Sequence, residues 1–213
     1  VSRACPGALT PKQVPMFKVE DARLLRLVEK EVVTMVDEEV AGAGGSMAHW
    51  EQVAKKMKAH WETPGNKEPF DYQTALVNTM LRRDGEAVVK TQGHFVSLET
   101  GMGKSFVGLN YAVQYGAQRN GVETIIWVTP MAVIDTFVQE ATLSWGTSVV
   151  RVERVNPVFQ PNAINVVGFE WFSNGAARGT LETKFLEAAR NAFFVFDEVH
   201  NMYTAAIRNS TMR

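Results

Sequence analysis

The chain has 213 residues, of which 46% are apolar and 21% charged, and its formal net charge is -1. These values are ordinary for a globular protein with one large domain, or one domain with an appendage. The near-zero charge excludes a chain-wide basic attraction for nucleic acid, but not a local basic groove. No apolar run approaches the roughly 20 residues that span a bilayer, so no membrane partner is expected. The single cysteine, Cys5, cannot form an internal disulfide.

The first residues predict an extended arm and then a helix. Residues 1–17 contain three prolines and show no periodicity, which indicates an arm without regular structure. An amphipathic stripe predicts a helix over about residues 19–40. The glycine-rich stretch AGAGGS then ends that helix.

Two further helices are predicted before residue 84. The first runs from Ser46, as its N-terminal cap, to about His60, and the second covers residues 71–83. The apolar face of the first consists of Trp50, Val53, Met57 and Trp61. Packing against the rest of the chain is the expected use of that face, rather than docking of a partner. We therefore predict an N-terminal arm and helical segment over residues 1–68.

The remainder of the chain alternates strands with helices. Strands are predicted at HFVSL, TIIWVTP, SVVRVE, INVVGF and AFFVFDE. Helices are predicted over residues 105–118, 132–143 and 181–192. Apolar strands separated by helices indicate a parallel sheet covered on both faces. The fold class predicted is therefore α/β, in three layers.

The stretch TGMGKS resembles a phosphate-binding loop. It consists of Thr100, Gly101, Met102, Gly103, Lys104 and Ser105, and it follows a predicted strand and opens a predicted helix. The glycines would let main-chain N–H groups face an anion at the positive end of that helix. Lys104 would contact the β- and γ-phosphates, and the Ser105 hydroxyl would bind Mg²⁺. Leu98 stands where the full P-loop pattern has its first glycine.

A second stretch, FFVFDEVH, places two acids at the end of the most apolar strand. Both this strand and the one before the glycines end at the carboxyl edge of the predicted sheet, where ligands of such sheets bind. Asp197 is predicted to hold Mg²⁺ through water, and Glu198 to orient and deprotonate the attacking water. Together the two motifs predict an ATP-hydrolysing site with Lys104, Asp197 and Glu198 as its catalytic residues.

These two motifs resemble motifs I and II of the superfamily 2 helicases and translocases, the second being their DEAD/DEAH box. Helicases of that superfamily often shorten the loop to the form seen here. The resemblance covers about residues 69–213 and implies an N-terminal RecA-like P-loop lobe that uses ATP and Mg²⁺. His200, in the second motif, would couple the ATP site to a later motif.

Three weaker stretches agree in order with that family. PFDYQTALV is similar to the segment that clasps adenine, where Phe70, Tyr72 and Gln73 would act. VTPMAVIDTFVQEA is similar to motif Ia, where Thr129 and Pro130 would lie along the backbone of DNA or RNA. NVVGFEWF is similar to the surroundings of motif Ib.

The chain also departs from the family. Neither a motif III nor a second RecA-like lobe, with the arginines that complete the ATP site, follows the acids. In the family's sheet the motif III strand lies between the strands of motifs I and II. We therefore predict that the chain belongs to a longer polypeptide, with the second lobe as partner, and that alone it hydrolyses ATP weakly.

Two other functions remain open at this point. One is another P-loop motor, such as a genome-packaging ATPase. The other is a non-catalytic nucleotide-binding component of a larger particle. The expected location is the cytoplasm, the nucleus or the interior of a virus particle.

Overall fold

The computed structural model describes residues 44–86, 93–119, 121–172 and 178–199. Its α-helices are α1 (Gly44–Trp61), α2 (Asp71–Glu86), α3 (Lys104–Gln118), α4 (Ile134–Leu143) and α5 (Arg178–Ala189). Its strands are β1 (Thr124–Thr129), β2 (Val150–Arg151), β3 (Ile164–Gly168) and β4 (Ala192–Phe196). Two 3-10 turns, Met131–Val133 and Phe169–Phe172, follow β1 and β3.

The four strands form one parallel sheet in the order β2-β3-β1-β4. Both β1 and β3 are buried along their whole length. Strands buried on both faces need apolar side chains at successive positions, which is what TIIWVT supplies. The prediction of an α/β fold with a parallel sheet is confirmed.

Alternate residues of the sheet enter two hydrophobic clusters. Ile125 and Trp127 face a cluster that includes residues of α1, α2, α3 and α4. Ile126 and Val128 face a smaller one, to which α5 contributes Phe185. Helices thus cover both faces of the sheet, as the three-layer prediction requires.

Helix α1 is built into the larger cluster through its contact with α3. The Trp50 side chain is fully buried, and its indole N–H donates to the Val122 carbonyl at 2.7 Å. Gly116 on α3 faces that ring so closely that a Cβ there would lie 2.7 Å from Trp50 Cδ1. The predicted apolar face therefore packs in the core, as expected. The prediction that Ser46 caps this helix is wrong, because the helix begins at Gly44 and Ser46 is buried within it.

The segment HFVSL was predicted to be a strand and is not one. It is extended but belongs to no ladder of the described sheet. Its side chains still alternate, because Val96 and Leu98 pack on the core while Phe95 is exposed. The segment therefore turns alternate side chains toward the core, as a strand would, but no neighbouring strand of the described residues supplies hydrogen-bond partners. Among the described residues β4 pairs only with β1, so the other edge of β4 has no neighbouring strand there.

Several predictions fall outside the described residues. These are the arm over residues 1–17, the helix over residues 19–40 and the role of His200. The division of the chain at residue 68 stays a prediction. Among the helices that the structure describes, none is both long and apolar enough to cross a membrane.

Candidate nucleotide site

The glycine-rich loop joins the extended segment 94–98 to the start of α3. Gly101 and Gly103 have φ of 84° and 72°, in the left-handed region that glycine adopts without strain. The Met102 N–H donates to the Glu99 carbonyl at 3.2 Å, which closes the turn. Gly103 is the N-cap residue of α3, and its carbonyl accepts the Val107 N–H at 3.0 Å. The sequence thus forms the curled loop before a helix that binding of an anion requires.

The ammonium group of Lys104 lies at the start of the glycine-rich loop. Its Nζ donates to the carbonyl of Leu98 at 3.2 Å and to that of Glu99 at 3.4 Å. A carbonyl is available at Leu98 whatever the side chain, so the missing first glycine does not prevent this contact. The charge is held beside the loop by neutral acceptors, which a phosphate group could replace.

Ser105 and Asp197 meet although they belong to different motifs. The Ser105 hydroxyl donates to Asp197 Oδ2 at 3.2 Å. Asp197 directly follows β4, and its N–H donates to the Val128 carbonyl at 2.9 Å, which fixes it at the carboxyl edge of the sheet. A hydroxyl beside a carboxylate is a set of hard oxygen ligands that suits Mg²⁺. The two residues could therefore hold that ion between them.

The groups around Asp197 do not fully offset the cost of burying its negative charge. Burial raises the pKa of its carboxyl above the ordinary value, and the neighbouring charge of Glu198 acts in the same direction. The Ser105 hydrogen bond, the Glu198 N–H and the Lys104 charge lower that pKa, but the net shift is upward. A cation at this point would favour the ionised carboxylate.

Glu198 has an uncommon backbone conformation. Its φ is 50°, in the left-handed region that residues other than glycine seldom adopt. Its N–H donates to Asp197 Oδ1 at 3.0 Å, so the turn is tied to the first acid. Strained residues of this kind are frequent at functional sites. This backbone conformation sets the direction in which the Glu198 side chain projects from the edge of the sheet.

Two residues in the first turn of α2, Tyr72 and Gln73, contact the glycine-rich loop. The Tyr72 hydroxyl donates to the Met102 carbonyl at 2.8 Å, and Gln73 Nε2 donates to the same oxygen at 3.2 Å. Gln73 Oε1 accepts the Phe70 N–H at 3.0 Å. The rings of Phe70 and Tyr72 are stacked, with centroids 5.7 Å apart. Phe70 remains 65% exposed, so its outer face is available beside the loop.

The contact between α2 and the glycine-rich loop was not predicted from the sequence. The role of Phe70, Tyr72 and Gln73 in binding adenine stays a prediction, and the structure adds that Tyr72 and Gln73 hold the loop through the Met102 carbonyl. A Cβ at Gly103 would collide with the Gln73 side-chain amide. The feature of the sequence that could have indicated this contact is Gly103. Its position requires both a left-handed backbone conformation and the absence of a side chain.

Thr129 and Pro130 lie at the end of β1, at the same edge of the sheet, and both are buried. Their predicted contact with nucleic acid would require the neighbouring surface to change, and it stays a prediction. A cavity of about 410 Å³ lies elsewhere, between the end of α1 and the turn after α4, with Lys56, His60 and Thr147 in its lining. None of the predicted site residues lines it. Nor do the described residues contain a cluster of three or more His, Cys, Asp or Glu side chains that could hold a metal.

Searches against protein families, characterised proteins and solved structures found no match for this chain. Its function must therefore be inferred from the residues of the site.

Proposed function

We propose that the chain is the ATP-binding and ATP-hydrolysing motor lobe of a nucleic-acid helicase or translocase, similar to the first RecA-like lobe of superfamily 2. The observation that carries this proposal is the Ser105–Asp197 hydrogen bond of 3.2 Å. It joins the glycine-rich loop to the Asp-Glu pair at the carboxyl edge of a parallel sheet, where nucleotides bind.

Each residue of the site has a defined part in hydrolysis. The main chain of residues 100–105 would surround the phosphates of ATP, and Lys104 would exchange its carbonyl acceptors for phosphate oxygens. Ser105 and Asp197 would hold Mg²⁺, which neutralises charge on the phosphates. Glu198 would orient a water molecule and accept its proton as the water oxygen attacks the γ-phosphorus, while the bond from that phosphorus to the β–γ bridging oxygen breaks and ADP leaves. Phe70 would present its exposed face to the adenine.

The strand pairing supports the helicase type of motor. In that family the motif III strand separates the strands of motifs I and II. Here the segment 94–98 is extended and outside the described sheet, while β4 is paired along one side alone among the described residues. This arrangement suits a sheet that accepts another strand between the two.

The partners proposed are DNA or RNA and a second RecA-like lobe. Thr129 and Pro130, which are buried, would lie along the nucleic-acid backbone once the surface over them had moved, and His200 would relay the state of the ATP site. Contacts with the backbone do not distinguish DNA from RNA, so both are proposed.

The decisive experiment measures ATP turnover by the complete polypeptide with and without single-stranded DNA or RNA. Stimulation by either nucleic acid is the expected result. Turnover that nucleic acid does not change would contradict the translocase and favour another P-loop motor. Nucleotide binding without any turnover would favour a nucleotide-binding scaffold.

A further inference from the structure

Both ends of α2 contact the stretch of chain that carries the glycine-rich loop. In the first turn of the helix, Tyr72 and Gln73 donate to the Met102 carbonyl at 2.8 and 3.2 Å. In its last turn, Asp84 Oδ1 lies 2.8 Å from His94 Nε2. At about 1.5 Å of rise per residue, these two turns are about 18 Å apart along the helix. One continuous helix therefore supports the chain both before the loop and within it.

The contact between Asp84 and His94 is buried, and all its atoms have a defined role. The two side chains are 6% and 12% exposed. Because a carboxylate only accepts hydrogen bonds, His94 donates from Nε2. The Tyr111 hydroxyl donates to the other oxygen, Asp84 Oδ2, at 2.6 Å, and Arg119 donates to the Asp84 main-chain carbonyl at 2.7 Å. Burial and the Asp84 carboxylate raise the pKa of the Tyr111 phenol, so it stays a donor.

His94 begins the extended segment 94–98, which needs support from outside the sheet. A strand is held in register by its ladder of hydrogen bonds, and this segment belongs to no ladder of the described sheet. Val96 and Leu98 pack on the core, but apolar contacts are not directional. The hydrogen bond from His94 to Asp84 is directional. It therefore sets where the segment starts, and with it the position at which the chain enters the loop.

We infer that Asp84 is a positioning residue for nucleotide binding, which acts through His94 on the entrance to the glycine-rich loop. Asp84 is not among the residues proposed to contact ATP. A loop that is already held in shape loses less conformational entropy when it surrounds a phosphate group, so its ligand binds more tightly. The inference rests on the proposed function, because it takes this loop to bind ATP.

The test compares Asp84→Ala and His94→Ala with His94→Gln in the complete polypeptide, by titration with a fluorescent ATP analogue. Each alanine variant should raise the Kd about tenfold, as loss of one charge-assisted hydrogen bond implies. The double variant should bind no more weakly than Asp84→Ala, because the two side chains form one contact. Glutamine Nε2 is as many bonds from Cα as histidine Nε2, so His94→Gln should stay within about twofold of wild type. The kcat at saturating ATP should not change in any of them.

Two controls separate positioning from a general loss of stability. Asn78→Ala, at an exposed position of the same helix, should leave the Kd unchanged. Phe185→Leu weakens the hydrophobic cluster on the other face of the sheet and should lower the Tm without raising the Kd. Amide hydrogen exchange over residues 99–103 should become faster in Asp84→Ala and not in Phe185→Leu. An equal rise in Kd for Phe185→Leu and Asp84→Ala at a similar loss of Tm would overturn the inference.

The outcomes separate the inference from the proposed function. A wild-type protein that does not bind the analogue would overturn both. A wild-type protein that binds it, with alanine variants that bind equally well, would overturn the role of Asp84 alone. If Asp84→Ala does not fold, the comparison of His94→Ala with His94→Gln decides, and equal Kd values for those two variants would overturn the inference.

Discussion

The Ser105 hydroxyl donates to Asp197 Oδ2 at 3.2 Å, although the two residues lie 92 positions apart in the chain. Neither residue is unusual within its own segment. Their contact requires that α3 begin beside the end of β4, which the parallel sheet brings about. The sheet therefore brings together the oxygen atoms of the proposed nucleotide site.

Asp197→Asn should stabilise the fold at neutral pH. Burial raises the pKa of Asp197, so the folded state binds its proton more tightly than the unfolded state does. The contribution of this group to the free energy of unfolding therefore falls as pH rises from its ordinary pKa of 3.8 through the raised value. Asparagine removes the charge, keeps Oδ1 as the acceptor for the Glu198 N–H, and can donate its Nδ2 to the Ser105 hydroxyl oxygen. We expect a Tm about 2–4 °C higher at pH ~7, where a change of ~1 kcal/mol has that effect.

The pH profile provides the check on Asp197. Urea unfolding from about pH 4 to pH 8 should show an advantage of Asp197→Asn that grows with pH and then levels off. Glu51→Gln, on the exposed surface of α1, controls for the loss of one negative charge. An advantage that shrank as pH rose would contradict the buried-charge explanation.

Lys104→Ala should weaken nucleotide binding about 10- to 100-fold, because a charged donor to phosphate contributes roughly 1.5–3 kcal/mol. Titration with a fluorescent ATP analogue measures this affinity. Lys56→Ala removes a lysine from the exposed surface of α1 and should leave the affinity unchanged. Equal affinities for wild type and Lys104→Ala would remove Lys104 from the site.

Glu198→Gln should leave nucleotide affinity intact and lower ATP turnover by about 10²-fold or more, the usual contribution of a general base. Steady-state phosphate release by the complete polypeptide measures turnover. Glu99→Gln, an exposed acid beside the glycine-rich loop, is the matched control. Normal turnover by Glu198→Gln would mean that another group accepts the proton.

Gly103→Ala should be more harmful than Gly101→Ala, although both glycines are left-handed. Alanine at either position incurs backbone strain of roughly 1–2 kcal/mol. At Gly103 the new Cβ also collides with the Gln73 amide, whereas nothing lies within 4 Å at Gly101. We expect Gly103→Ala to lose more stability and more nucleotide affinity. In a Gln73→Ala background the stability cost should fall to that of Gly101→Ala.

Gly116→Ala should destabilise the fold by about 1–3 kcal/mol, the usual effect of overpacking. Its Cβ would lie 2.7 Å from the fully buried Trp50 ring. Gly85→Ala, in α2 with nothing within 4 Å, should instead stabilise by about 0.5–1 kcal/mol. Thermal unfolding of both variants makes the comparison. The two changes in stability need not be equal in size. A Gly116→Ala variant more stable than wild type would contradict the packing of α1 on α3.

Strands and helices with strong apolar patterns could be predicted from the sequence within a few residues. TIIWVT and INVVG are apolar because both sides of each strand are covered, and that cause is visible in the sequence itself. HFVSL is also rich in residues that favour strands, but a strand needs in addition a neighbour for its hydrogen bonds. That neighbour is not a local property, so the sequence could not show whether the segment joins the sheet.

The candidate site divides in the same way. The glycine-rich loop and the two acids could be predicted, because their chemistry depends on residue type and on position at the end of an element. The clamp of Tyr72 on the Met102 carbonyl could not, since it depends on how α2 meets the loop. The contact of Glu170 with the Met131 N–H likewise depends on strand register. Contacts between a side chain and a distant main-chain atom cannot be recognised from the residue types alone.

The packing of Trp50 against Gly116 determines where the protein can be cut. A polypeptide trimmed to start at Pro69 would keep both nucleotide motifs but would lose the ring that covers this part of α3. Its newly exposed apolar surface should make it prone to aggregate, and its nucleotide loop should lose order with α3. Expression of the part of the chain that contains the sheet is therefore expected to require α1, even though the recognisable motifs begin later.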